Sequence, residues 1–357
     1  MRTALVDTSR GWGGAEEQML VLAQELERRG HVVSVVARAG GRVHEGFLRS
    51  GFLVLPVART GLAAISAPLK LAARIRKAPP DIVHSHRDHD LPLGKLISLA
   101  SGAPLLLTQH CMPQRPQALA YGLADRIIAV SGYIADGIRA KVPTVIGRTG
   151  VIRNGIDPAM FASPDRTYWR RHPAVGDRAP LLGAVGAFYK GQEELISMLP
   201  RLRGEFPRIA LLLIGEDKDR KQPLLDLAER LGVADAIVFA GRIPRERMKD
   251  ALGSLDLNVS AFRNEGFGLS VLEGLAVGTP FVGYRAGGYP EIIRDDRTGV
   301  LVDGPSGLSE AIVKLLCDRE HLSSLRAEEH PSIPDGLTLS GMADAYEQVY
   351  REMQKKP

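Results

Sequence analysis

The chain has 357 residues, 45% of them apolar, 24% charged and 5% aromatic, with 46 Lys+Arg against 41 Asp+Glu and a sequence pI near 9.2. That length predicts two domains, and the ordinary apolar fraction excludes a disordered or collagen-like chain. Its two cysteines, Cys111 and Cys317, lie far apart, which argues against a disulfide scaffold and a cysteine-based zinc site.

The first residues read as a short strand at 3–7, not as a signal peptide. No apolar run reaches the roughly 20 residues of a membrane span, so a cytoplasmic location is expected. Residues 15–29 put Met19, Leu20, Leu22, Ala23 and Leu26 on one helical face, with Gly30 just past the end. Strands are expected at 31–37, 52–57, 81–85, 105–108 and 126–130, with a helix at 69–77. This alternation predicts a parallel sheet with helices on both faces. The pattern breaks at 158–177, which carries three prolines and Trp169. A second series follows, with strands at 181–186, 209–214, 236–239, 257–259 and 279–282 and helices at 192–202, 223–231 and 270–276. An amphipathic helix at 340–353 closes the chain. Two similarly built α/β domains, joined near 160–178, are the expected organisation.

Charge is uneven: residues 1–150 hold 19 Lys+Arg against 11 Asp+Glu, and residues 151–357 hold 27 against 30. The basic first half favours an anionic partner, such as a phospholipid surface or a phosphorylated substrate, although a solvated surface accounts for the same counts. The basic, apolar-rich stretch 50–77 suits either an anionic membrane or a solvated helix face. Low aromatic content argues against nucleic acid as a partner.

The strongest local signal is Asn264-Glu265-Gly266-Phe267-Gly268-Leu269-Ser270-Val271-Leu272-Glu273. Two glutamates flank a glycine turn that opens a helix, where backbone comes close to a ligand and free N–H groups attract phosphate. An acidic helix start that suits the dipole gives the same pattern. A second glycine turn, Arg285-Ala286-Gly287-Gly288-Tyr289-Pro290-Glu291, sits at the carboxyl end of the next strand, where ligands of open α/β sheets collect. His84 and His86 share a strand face by period two. With Asp88, His89 and Asp90 they read as a polar strand end near a crevice more readily than as a metal cluster. His110 is either a site or a core histidine. Gly11-Trp12-Gly13-Gly14 follows a strand as a dinucleotide fingerprint would, with Arg38 placed for a 2′-phosphate, but Glu16 occupies the third glycine position.

The run from Glu265 through Glu291 resembles the signature of the retaining family 4 glycosyltransferases (glycosyl transferases group 1). So do Gly11 to Glu16, Asp81-Ile82-Val83-His84-Ser85-His86, Thr108-Gln109-His110, Val130-Ser131, Asn154-Gly155-Ile156-Asp157 and Gly186 with Lys190-Gly191. The resemblance spans about residues 3–300. It implies a GT-B α/β fold: two Rossmann-like domains facing across a cleft, with a C-terminal helix crossing back to the first domain. The corresponding boundaries are 1–165 for acceptor binding, 178–335 for the nucleotide-sugar donor and 336–357 for the returning helix. It also implies transfer from a nucleotide sugar of unknown base, with no separate cofactor or metal, to a glycan or lipid-linked acceptor. Bacterial envelope polysaccharide or lipopolysaccharide synthesis, at the inner face of the cell membrane, is the implied setting.

By the same resemblance Glu273 binds the donor ribose, Glu265 contacts the transferred sugar, and Gly266, Phe267, Gly268 and Leu269 hold sugar and diphosphate. Lys190, after Gly186, neutralises the leaving diphosphate, as charge developing in a transition state requires. Gly13 and Gly14 admit the donor phosphate, Ile243 packs near the base, and His110 touches the sugar. Glu16, His84 and His86 lie on the acceptor side. Glu265, His110 and Lys190 form the expected catalytic set. One departure stands out: the family's usual Arg after Gly186 is replaced by Ala187-Phe188-Tyr189, with Arg242, Arg245 or Arg263 as candidate substitutes. That departure keeps open a catalytically silent, sugar-binding relative, and the glycine fingerprint keeps open an NADP-dependent oxidoreductase.

Overall fold

The computed structural model describes residues 1–58, 74–114, 117–216, 218–294, 296–327 and 333–355. Of the expected helix at 69–77, residues 74–77 are described and helical; the rest of it, and much of the stretch 50–77, lie outside the described residues. The chain divides into two compact units, Met1–Gly155 with Pro334–Pro357, and Ile156–Ile333. The proline-rich segment after Ile156 packs on the second unit, where Trp169 Nε1 donates to the Ala251 carbonyl at 2.8 Å. Among the described residues no helix is long and apolar enough to cross a membrane.

The first unit is a parallel sheet of β1 (Arg2–Asp7), β2 (Val32–Arg38), β3 (Leu53–Val57), β4 (Ile82–Ser85), β5 (Leu105–Gln109), β6 (Arg126–Ala129) and β7 (Thr149–Val151), in the order β3-β2-β1-β4-β5-β6-β7. Helices α1 (Gly14–Arg28), α2 (Arg42–Arg49), α3 (Leu91–Ser101) and α4 (Gly132–Lys141) connect them. Strand order reverses between β1 and β4, and such a switch point opens a crevice at the carboxyl ends of the strands. The strands read as continuous apolar runs because both faces are covered. One face packs on Met19, Leu22 and Leu26 of α1 and on Met342, Tyr346 and Tyr350 of the last helix. The sequence offers no helix at 42–49 because Gly46 disfavours one. In the fold the Trp12 ring packs on that glycine, where a Cβ would overlap it unless the indole shifted.

The second unit repeats the plan with β8 (Leu181–Val185), β9 (Ala210–Ile214), β10 (Ile237–Gly241), β11 (Leu257–Ser260), β12 (Phe281–Tyr284) and β13 (Gly299–Val302), ordered β10-β9-β8-β11-β12-β13 and parallel throughout. Its reversal lies between β8 and β11. Helices α5 (Gln192–Glu205), α6 (Lys218–Arg230), α7 (Met248–Gly253), α8 (Leu269–Ala276), α9 (Pro305–Cys317) and α10 (Arg319–Ala327) flank it. The final helix, α11 (Leu339–Gln354), belongs to the first unit and packs on α1.

Candidate active site

At the switch point of the second unit, β8 ends at Val185 and β11 at Ser260, and the loops that follow carry Lys190 and Glu265. Their side chains meet, Lys190 Nζ to Glu265 Oε2 at 2.8 Å, and the ammonium also lies 5.5 Å from the Phe262 ring centroid. Both remain part-exposed, at 26% and 18%. A pair this open is worth little to stability, so fold energy alone does not account for it.

The turn beyond Glu265 is built on two glycines. Gly268, at φ 106°, caps α8, and Tyr289 closes it from beneath, bonded through its hydroxyl to Ser260 Oγ at 2.8 Å. Gly287 adopts φ 61°, and a Cβ there would lie 2.6 Å from the Glu265 carbonyl; the next residue, Gly288, donates its N–H to that same carbonyl at 2.9 Å. The second glycine turn therefore holds the first in place. Gly266, Phe267 and Gly268 are buried and Leu269 half-buried, at a helix start whose first N–H groups lack intrahelical partners.

Glu273, one turn into α8, is buried and ion-paired with Arg245, whose guanidinium lies 5.2 Å from the Phe161 ring centroid. Ile243, just after β10, is half-buried. Of the candidate substitutes for the missing arginine, Arg263 is bound to Glu194 at 2.9 Å and lies over Tyr284, and Arg242 is exposed. The replacing residues have other work. Phe188 enters the core and Tyr189 meets Phe262 edge-on.

In the first unit, Gly13 and Gly14 are exposed at the start of α1. Glu16 points inward: one carboxylate oxygen accepts the Gly13 N–H at 2.8 Å and the other binds Arg87. Arg87 also approaches Asp7, with Nε 3.7 Å from Oδ2. Asp7 is fully buried, and burial, reinforced by the neighbouring Glu16, pushes its carboxyl up to about 7. Asp7 and Arg87 went unread in the sequence. Their signal is positional, since they end or follow the two strands at the switch point.

The polar strand end expected near a crevice is buried. His84 is fully buried, with Nδ1 2.7 Å from the Tyr350 hydroxyl and Nε2 2.7 Å from Thr108 Oγ1, so neither nitrogen is left for an acceptor. His86 is 2% exposed, its ring centroid 4.2 Å from that of His84 and its Nδ1 3.3 Å from His110 Nε2. Glu16 likewise has both oxygens occupied. His110 is half-buried as a residue. Burial lowers all three imidazoles, His110 to about 3, so they are neutral near pH 7.

Two family profiles cover most of the chain: Glycosyltransferase Family 4 over residues 12–160 and Glycosyl transferases group 1 over residues 165–329. The chain is 29% identical over 384 aligned positions to a 2-deoxystreptamine N-acetyl-D-glucosaminyltransferase of Streptomyces fradiae, covering 94% of this chain and 89% of that protein. It is 27% identical to a phosphatidyl-myo-inositol mannosyltransferase of Mycolicibacterium smegmatis, covering 86% and 82%. Its fold matches that of the Anabaena HepE protein, solved with UDP-glucose, at a TM-score of 0.87 and 20% identity over 99% of this chain and 100% of that one. The oxidoreductase alternative falls with this, and Glu16 explains itself as a helix cap. The chain belongs to the group 1 glycosyltransferases of family 4, retaining enzymes of GT-B fold that draw on a nucleotide-sugar donor.

Proposed function

We propose that the second unit binds the donor, with Glu273 on the ribose, Lys190 and the 266–269 turn on the diphosphate and sugar, and Glu265 at the reacting centre. The acceptor is a glycan or lipid-linked saccharide of bacterial envelope polysaccharide or lipopolysaccharide assembly, taken by the first unit. The observation that carries this reading is the 2.8 Å Lys190–Glu265 pair at the strand-order reversal. An arriving diphosphate exchanges into Lys190's partner position, which frees Glu265 for the sugar. As the glycosidic bond to phosphate breaks, negative charge builds on the diphosphate, which in this reading Lys190 and the α8 amides hold. Retention follows when the acceptor hydroxyl attacks from the face the diphosphate leaves, its proton passing to a departing phosphate oxygen. Arg245, ion-paired with Glu273, is a cation at the proposed ribose site. It balances Glu273 until ribose hydroxyls arrive.

The basic excess of the first 150 residues suits a phosphorylated or lipid-linked acceptor, and one relative is named for a phosphatidylinositol acceptor. A thermal-shift screen against UDP, GDP, ADP and their glucose or mannose conjugates tests the donor site. One nucleotide should stabilise the protein, more strongly with its sugar attached. Stabilisation by none of them sinks the assignment. With the donor known, transfer to phosphatidylinositol or undecaprenyl-linked saccharide supports the acceptor class, and transfer to 2-deoxystreptamine alone overturns it.

A further inference from the structure

Three imidazoles, His84, His86 and His110, lie in file, the first of them against Tyr346 and Tyr350 of α11. The spacing has a simple origin. In the parallel register of β4 and β5, His84 stands opposite Leu106, and the polar contacts run two positions ahead. His84 reaches Thr108 and His86 reaches His110, both 24 residues on. The first ring is immobile, because Tyr350 and Thr108 hold both its nitrogens and Tyr346 in turn bonds Thr108 at 2.9 Å. His86 lies tilted against that ring, 31° from parallel, and the His86 and His110 rings stack with centroids 5.6 Å apart and planes 21° from parallel.

A neutral imidazole has one donor and one acceptor nitrogen, and the bond made by one fixes what the other offers. His86 Nε2 is buried without a partner among the described residues. Leaving a buried acceptor unmet is more tolerable than leaving a buried N–H unmet. The proton of His86 therefore belongs on Nδ1, donated to His110 Nε2, and His110 must carry its own proton on Nδ1. We propose that His86 is a positioning residue which locks His110 in the Nδ1–H tautomer, so that His110 presents a hydrogen-bond donor to a sugar oxygen. The inference rests on the reading of His110 as a sugar-contacting residue.

Long-range 1H–15N correlation on the full-length protein, labelled at histidine nitrogens, reads the tautomer directly, with His110→Gln giving the assignment. In the parent protein His110 should show a protonated Nδ1 and a bare Nε2 at well-separated shifts. His86→Phe keeps an aromatic ring and removes the N–H donated to His110 Nε2, so the two His110 shifts should move toward each other or exchange order. His86→Asn places an amide near the lost Nδ1 and should restore the parent pattern. A parent spectrum with Nδ1 bare overturns the proposal, even if His86→Phe fails to fold, and so does a His86→Phe spectrum identical to the parent's. Full transfer activity in His110→Ala would instead overturn the role of His110, leaving the tautomer result intact.

Discussion

The two units carry polar residues at the same place, the carboxyl edge of a parallel sheet beside its strand-order reversal, and use them in opposite ways. In the first unit Asp7, Glu16, His84 and His86 are all buried, and most of their polar atoms are met from within. In the second, Lys190 and Glu265 are bound to each other yet part-exposed. A buried network fixes geometry at the risk of a large loss if any member is removed. A half-open ion pair contributes little to folding and gives way readily to a ligand of matching charge. The first unit is thus built to hold a shape, and the second, in the proposed reading, to exchange partners.

The largest expected effect follows from the second half of that contrast. Glu265→Ala should lower transfer by about two to three orders of magnitude, the usual loss when one group facing developing charge is removed. It should leave the melting temperature nearly unchanged. Donor binding should hold or tighten, because Lys190 loses its internal partner. Melting curves, nucleotide titration and turnover together check this. A variant that melts much earlier with its turnover intact would reverse the roles assigned to the two units.

The next effect belongs to the first unit. His84, His86 and His110 are held neutral by burial, below the roughly 6.5 of an unfolded histidine. Stability from a group depressed on folding is fully present above its unfolded value and is lost as pH falls toward the folded one. Asp7 runs the other way: raised from 3.8 to about 7, it favours the fold at low pH and costs stability as pH rises from the lower value to the higher. Three histidines against one aspartate leave the first unit losing stability between about pH 6.5 and 4. The described histidines of the second unit, His172 and His321, are not buried. Hydrogen exchange at pH 7.5 and pH 5 should show protection falling in the first unit by at least about 1 kcal/mol and far less in the second. Equal losses in both would break the comparison.

Legibility divides along the same line. Residues 264–273 and 285–291 were readable because each turn is local: its glycines, its carboxylate and the helix it opens are consecutive. The Asp7–Arg87 approach was not, because it spans 80 positions and depends on β4 lying beside β1. His84 shows the limit of period two. The pattern assigns it a face correctly, but the cover on that face is Tyr346 and Tyr350, supplied from the far end of the chain. In the fold, the core strands were legible from apolar runs. The short edge strands β7 and β13 were not, since Gly150 and Gly299 weaken the signal. The strand expected at 279–282 begins at Phe281 instead, because Thr279 turns its hydroxyl to the Leu252 carbonyl and Pro280 has no N–H to give.

Gly287→Val tests the interlocked turns and should have a smaller effect on the fold than acid has. A β-branched residue at φ 61° is strained by roughly 1–3 kcal/mol, and its Cβ would press on the Glu265 carbonyl. The turn should shift and carry Glu265 off Lys190, so turnover falls with donor affinity while the first unit keeps its protection. Loss of protection at β1 and β4 instead would show that the two edges are not separable.

The smallest expected change is at Arg245. Its guanidinium pairs with Glu273 and lies near Phe161, 25% exposed, so removing it leaves a buried carboxylate short of a cation. That loss acts mainly on the protein without donor, because in the proposed complex the ribose hydroxyls donate to Glu273 in its place. Arg245→Ala should therefore destabilise the unliganded second unit by about 1–3 kcal/mol. Nucleotide binding should recover part of that loss, so the thermal shift on adding the preferred nucleotide grows in the variant. If the shift shrinks instead, Arg245 holds the donor itself, and the cation missing after Gly186 has been moved to the loop beyond β10.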